Sequence, residues 1–274
     1  NNPHFCKSAL ARYTPQDFIS LVEKHGIKYH EKKLGQLFCD GSAKEIVQML
    51  QTECDEVGVK IKVNCTIDKF EQINNSSSET AFRVTSNLGE FTSESLVVAT
   101  GGISIPQMGA TDFGYKLAKQ FGLKLTKTVP GLVPFTLNEG SYNELSGLSI
   151  DSIVTCSNTS FRENILFTHK GLSGPAILQI SNYWNEGDEI TIDLLPGIDL
   201  LSVINEHKPY KTELVNVLAK FFPKRFTEKW CELNFPTKPV NRLSDKDIEI
   251  IDKQLHNWKL VPKGTEGFGK AEVT

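Results

Sequence analysis

The sequence predicts an α/β fold carrying a second region of different character, and three observations predict it. Leu96-Val97-Val98-Ala99 is a continuous apolar run of the kind that forms a strand buried on both faces of a parallel sheet. Thr100-Gly101-Gly102 follows at once, and Asp112 then opens a helix bearing Tyr115, Leu117, Ala118 and Phe121, with Gly122 where a C-terminal cap belongs. Past Gly122 the pattern changes to prolines, alternating runs and helical segments. Glycines at the carboxyl end of a buried strand let a backbone approach a bulky ligand, and that end is where open α/β sheets bind ligands. On spacing alone, Gly101 and Gly102 serve equally well to turn the chain.

Before that strand, Thr14-Pro15-Gln16-Asp17 starts a helix with Thr14 as N-cap, and Gly26 ends it. Short strands are expected around Gly35, between residues 32 and 39. Ser42-Ala43-Lys44-Glu45 has the form of a capping box ahead of Ile46, Val47, Leu50, Cys54 and Val57 at helical spacing. Strands are expected at 59–63, 66–73, 81–86 and around Phe91, with turns at 74–78 and Asn87-Leu88-Gly89. Beyond Pro130 and Pro134, residues 145–167 read as hairpins turning at Asn158-Thr159, and 189–194 as a further strand. Helical spacing recurs at 201–207, 212–222, 226–233 and 244–257, the last capped by Ser244 with Asp247, and 258–261 is extended.

The totals, 274 residues with 39% hydrophobic and 23% charged, describe an ordinary globular chain long enough for a sizeable core. A net charge of −3 argues against a general nucleic-acid or membrane-surface binder, so nucleic acid is an unexpected partner. No apolar run reaches membrane-spanning length and no signal-peptide pattern is present, which points to the cytoplasm. The six cysteines are scattered without a C-x-x-C pair, as expected of reduced thiols; no metal site is expected.

The run ATGG followed by IPQMGATDFGY and a helix resembles the matching segment of flavoproteins with two dinucleotide-binding domains. More closely, it is similar to the BaiN-like (YhiN-type) FAD-dependent oxidoreductases, as are GQLFCDGSAKEIVQML, LFTHKGLSGPAIL and the closing GTEGFGKAEVT. These stretches span nearly the whole chain in the family's order. The resemblance implies part of a Rossmann-like flavoprotein fold with an inserted β-rich and helical domain: a partial FAD-binding domain at 1–125, the insert at 126–261, and a return at 262–274. No strand leads into G-x-G-x-x-G, the pyrophosphate-cradling fingerprint that the family carries further upstream, so a fragment is expected.

The implied activity is an FAD-dependent oxidoreductase moving a hydride or electrons between a small organic substrate and flavin, with NAD(P)H as reductant at family level. The alternative is a non-catalytic flavoprotein-like module binding a protein or RNA partner. A flavin carries the electrons itself, so the protein's part is positioning. The resemblance places FAD against Ile67, Ala99, Thr100, Gly101 and Gly102, with Pro106, Gly109 and Gly114 shaping the next loop and Val273 and Thr274 leading onward. Thr168, Gly171, Ser173 and Gly174 belong to a loop beside substrate or flavin, where Ser173 is a plausible N-cap ahead of Pro175. His169 in that loop either moves a proton beside the flavin or holds the loop by hydrogen bonds. Lys224-Arg225, short and flanked by Phe222 and Phe226, reads as a solvated helix edge in preference to an RNA patch. Where the family usually has G-R-x-F-P, this chain has Gly35-Gln36-Leu37-Phe38-Cys39, without the arginine and proline.

Overall fold

A computed structural model describes residues 4–74, 80–138, 142–235 and 238–274, in two compact units, Asn1–Val97 and Val98–Thr274.

The first unit begins with helices α1 (Lys7–Arg12) and α2 (Pro15–Lys24). Thr14 is the N-cap of α2 as expected and forms a reciprocal capping box with Asp17, and accepting those bonds holds the Asp17 carboxyl below its usual range. Strands β1 (Tyr29–Glu31) and β2 (Leu37–Cys39) pair as a hairpin turning through Leu34 and Gly35, both at positive φ. Helix α3 (Lys44–Glu56) starts after Ala43 without a side-chain cap, so the Ser42–Glu45 pairing sits one residue ahead of the cap position. Glu53 of α3 accepts from Lys24 Nζ at 2.8 Å and from His25 Nε2 at 2.7 Å, tying the end of α2 to α3. Strands β3 (Ile67–Asn74), β4 (Thr80–Ser86) and β5 (Gly89–Ser93) form an antiparallel ribbon with Phe70 stacked on Phe82. Most of the expected 74–78 turn lies outside the described residues.

The expected strands at 59–63 and Leu96–Ala99 form no ladder among the described residues, and Val63 and Val97 are 72% and 85% exposed. An apolar run becomes a strand only where a neighbour takes its N–H and C=O groups, so composition alone did not suffice. The ladders described are antiparallel, and the Rossmann-like parallel sheet is not among them.

The second unit opens with helix α4 (Phe113–Gln120), ended by Gly122 at φ 71° as expected. Its sheet comprises β6 (Phe135–Thr136), β7 (Ser149–Cys156), β8 (Thr159–Phe167), β9 (Gly171–Ser173), β10 (Ile190–Asp193), β11 (Trp258–Leu260) and β12 (Gly264–Thr265), in the order β11-β10-β7-β8-β9-β6-β12. The β7–β8 hairpin turns at Ser157-Asn158, one residue earlier than expected, because Cys156 pairs with Thr159. Alternate residues of β7 and β8, from Ile150 to Phe167, face inward beneath helix α5 (Pro175–Ile180).

Helices α6 (Leu200–His207), α7 (Leu214–Leu218), α8 (Lys224–Asn234) and α9 (Asp245–His256) complete the unit. Helix α7 is shorter than the 212–222 pattern suggests, because the Thr212 carbonyl accepts from Val240 N and Glu213 bridges Pro239. Ser244 and Asp247 cap α9 as expected. Phe167, Phe226, Trp230 and Trp258 form an aromatic seam joining sheet and helices. Phe226 is fully buried, with ring centroids of Phe222 and Trp230 4.8 and 5.2 Å away. Phe226→Ala is therefore expected to cost about 3–5 kcal/mol, read from urea unfolding of the two proteins.

Candidate functional site

The site is organised by residues 264–274, which stitch three parts of the second unit together. Strand β12 pairs with β6, and Glu266 N donates to the Pro134 carbonyl at 2.9 Å. Gly131 and Val273 then exchange backbone hydrogen bonds, at 2.9 and 3.2 Å. The glycine-containing loop reaches the same segment from the other direction. Ile105 N donates to the Phe268 carbonyl at 2.9 Å, and Ile103 N donates to Thr274 Oγ1 at 3.0 Å.

Thr100, Gly102, Gly114 and Thr274, each expected near a cofactor, are thereby neighbours. A Cβ on Gly102 would stand 2.5 Å from Thr274 Cβ, and one on Gly114 would stand 2.8 Å from Thr100 Oγ1. These two glycines allow close packing within the loop. Gly101 differs: its φ is +70°, and nothing stands within 4 Å of where its Cβ would be. Its bare backbone borders open space, the property a cofactor approach requires. Gly109, at φ +92°, ends the 3₁₀ turn that begins at Pro106, and Ala99 is exposed. Ile67 lies in the first unit, opposite Ser86 at the start of β3.

The 168–173 loop is built by Thr168. Its Oγ1 accepts from Lys170 N at 3.3 Å and from Gly171 N at 3.1 Å, while its own N–H donates to the Gly171 carbonyl at 2.8 Å. Gly171 is required because a Cβ there would stand 2.4 Å from the Phe135 carbonyl oxygen. Thr168 thus does the holding, and His169 is exposed, without a hydrogen-bond partner among the described residues. The N-cap of α5 is Gly174, at φ 92°, and Ser173 instead ends β9. Helix α5 is six residues long and starts without a side-chain cap.

His169, Lys170 and Ser173 line a groove of about 530 Å³ with Pro134, Ser146, Gly147, Glu266 and Lys270 among its other walls. Lys170 Nζ meets Glu266 Oε2 at 3.0 Å, and Glu266 keeps only 10% of its side chain exposed. Lys270 is exposed and has no carboxylate partner among the described residues. Arg225, itself exposed, donates from Nη2 at 2.6 Å to the carbonyl of Ser146, one of the groove's lining residues. Sequence reasoning placed Arg225 on a solvated helix edge and assigned no role to Glu266 or Lys270. The last two stand inside the GTEGFGKAEVT stretch, which was the available signal.

The cysteines are all free, and among the described residues no group of three or more His, Cys, Asp or Glu could hold a metal ion. No helix among the described residues is long and apolar enough to cross a membrane. Burial pushes the Cys231 thiol from 9.0 up to about 11. A thiol kept neutral in the folded state adds stability that is full below the unfolded value and lost as pH rises through the folded one. Stability is expected to fall between those two pH values, and Cys231→Ala to flatten that fall, as denaturant titrations across the range would register.

The description "HI0933-like protein barrel and H2TH domain" matches residues 129–273. The chain is 47% identical over 280 residues to the ribosomal RNA dihydrouridine synthase of Escherichia coli K12, covering 100% of this chain and 69% of the relative. It is 44% identical over 279 residues to the protein of the same name from Haemophilus influenzae, covering 100% and 69%. A 3-dehydro-bile acid delta(4,6)-reductase of Clostridium scindens is 23% identical over 295 residues, covering 99% and 70%. These relatives are enzymes by name, and two of them act on ribosomal RNA. The expectation that nucleic acid is an improbable partner is thereby corrected. It rested on net charge, an average that hides local surplus: residues 208–246 carry nine Lys and Arg against four Asp and Glu.

Proposed function

The chain belongs to the HI0933-like protein family, and on that basis we propose that it serves a flavin-dependent dihydrouridine synthase acting on ribosomal RNA. The observation that carries this reading is 47% identity across the whole chain to an enzyme of that name. A uridine within RNA then replaces the small organic substrate expected from the sequence. Distant similarity to a bile-acid reductase fits the same chemistry, since both names describe saturation of a carbon–carbon double bond.

Reducing a uracil C5=C6 bond adds two electrons and two protons. Reduced FAD, when bound, would supply two electrons and one proton as a hydride, with NAD(P)H as its reductant, and an acid in the groove would supply the second proton. This chain's residues supply the surroundings. The backbone at Gly101, open where a side chain would stand, borders the cofactor, with Thr100, Gly102, Gly114 and Thr274 fixing the loop around it. Ala99, Pro106, Gly109 and Val273 continue that lining, and Ile67 belongs to the same FAD-binding domain, in a layout of 1–125, the 126–261 insert and 262–274. In the groove, the exposed imidazole of His169 is placed to hold or deliver a proton. Thr168 and Gly171 hold its loop rigid, and Lys170 holds Glu266 as a carboxylate partner.

Incubating the whole FAD-loaded protein, reduced with dithionite, with transcribed ribosomal RNA should add the mass of two hydrogens to a uridine. RNA left unchanged by a flavin-loaded, reducible protein would contradict the proposal, and a protein that binds RNA but takes up no FAD would favour the non-catalytic module. Gly101→Val should abolish flavin retention; its positive φ also costs a β-branched side chain about 1–2 kcal/mol, so unfolding is measured alongside. His169→Gln should retain flavin and slow uridine reduction about a hundredfold in single-turnover assays.

A further inference from the structure

We propose that the groove walled by Ser146, Gly147, residues 168–173 and residues 266–270 carries the sugar–phosphate backbone of a single-stranded RNA segment, with Lys270 and Arg225 as its phosphate contacts. The inference rests on the ribosomal RNA reading above and adds the surface and residues that receive the substrate. Three observations support it.

The groove's charge is lopsided. Its inward carboxylate, Glu266, is already matched by Lys170 at 3.0 Å, which leaves Lys270 exposed and without a carboxylate partner among the described residues. Arg225 spends one donor on the Ser146 carbonyl. A guanidinium has five N–H donors in a fixed fork, so this bond orients the group and leaves others for a phosphate oxygen. Lys270 thus stands on one wall of the groove, and the exposed Arg225 is bonded to Ser146 of another.

The groove also lies beside the proposed cofactor loop. Residues 266–270 present Glu266 and Lys270 to the groove, while the Phe268 carbonyl between them accepts from Ile105 N, and a Cβ on Gly269 would stand 3.7 Å from Gln107 Nε2. RNA held at Lys270 is therefore separated from the 101–109 loop by one strip of backbone. Phosphate contacts fix register without reading bases, which is what bringing one uridine to a fixed reducing centre demands. Finally, the groove's about 530 Å³ falls among volumes typical of ligand sites, and the exposed His169 ring offers a base an unoccupied face.

The test uses the whole FAD-loaded protein and a ribosomal RNA fragment that the wild type modifies, with binding followed by anisotropy over a KCl series. Each phosphate contact to single-stranded RNA contributes about 0.7 to the slope of log affinity against log salt. Arg225→Gln combined with Lys270→Gln should lower that slope by about 1.4 and raise KM for RNA, with flavin content and melting temperature unchanged. A double variant with the wild-type slope and KM would overturn the groove assignment while leaving the synthase reading intact. If the wild type reduces no uridine in any ribosomal RNA, the synthase reading fails first. Loss of poly-glutamate binding equal to the loss of RNA binding would reassign the groove to an acidic protein partner. If the double variant loses flavin, Lys270→Gln alone is measured by the same slope.

Discussion

The backbone bonds of residues 264–274 are the constraint on which the candidate site depends. This strip extends the sheet at β12, meets Pro134 and Gly131 on one side, and accepts the 103–105 loop on the other. A strip bonded along both edges cannot shift without breaking several hydrogen bonds at once, and buried or half-buried backbone groups left unpaired are costly. One short segment therefore fixes two distances together: from Gly101 to the body of the unit, and from the groove's Lys270 to that same loop. The glycines follow from this crowding. Gly102, Gly114 and Gly131 stand where a Cβ would meet Thr274, Thr100 and Asn182, whereas Gly101 alone among these faces open space.

Electrostatics at this site work locally. The chain's net charge is −3, yet its basic surplus gathers between residues 208 and 246, and Arg225 from that surplus reaches the Ser146 carbonyl at the groove. Several other cations of the helices are already engaged, Lys208 by Asp245 and Lys229 by Glu144 and Glu232. Exposed pairs of this kind add little stability, so their consequence is mainly to decide which cations stay available to a ligand. Net charge describes solubility and long-range steering, and it misjudges a partner that is held by two or three placed cations.

Much of the fold was legible because its signals are local. Thr14 and Ser244 with Asp247 announced helix starts through side chains that reach only three residues, and Gly26 and Gly122 marked ends through a conformation few other residues adopt. The β7–β8 hairpin was legible from alternation, with its turn displaced by one residue. What failed needed distant partners. The apolar run Leu96-Val97-Val98-Ala99 finds no ladder among the described residues, and the first turn of the 212–222 pattern is taken by bonds to Lys238 and Val240. At the site, His169 and the Thr100–Gly102 loop stood out as a motif and a glycine pair, but Arg225 could not. Its importance lies in a hydrogen bond to a residue 79 positions away.

In the proposed arrangement, the backbone strip of residues 264–274 stands between the RNA groove and the proposed flavin loop. Photocrosslinking tests it most directly, using FAD-loaded whole protein, a ribosomal RNA fragment carrying 4-thiouridine at the modified position, and peptide mapping of the adducts. Adducts are expected within residues 166–173 or 266–270. Adducts confined to surfaces away from both stretches, with uridine reduction intact, would contradict it.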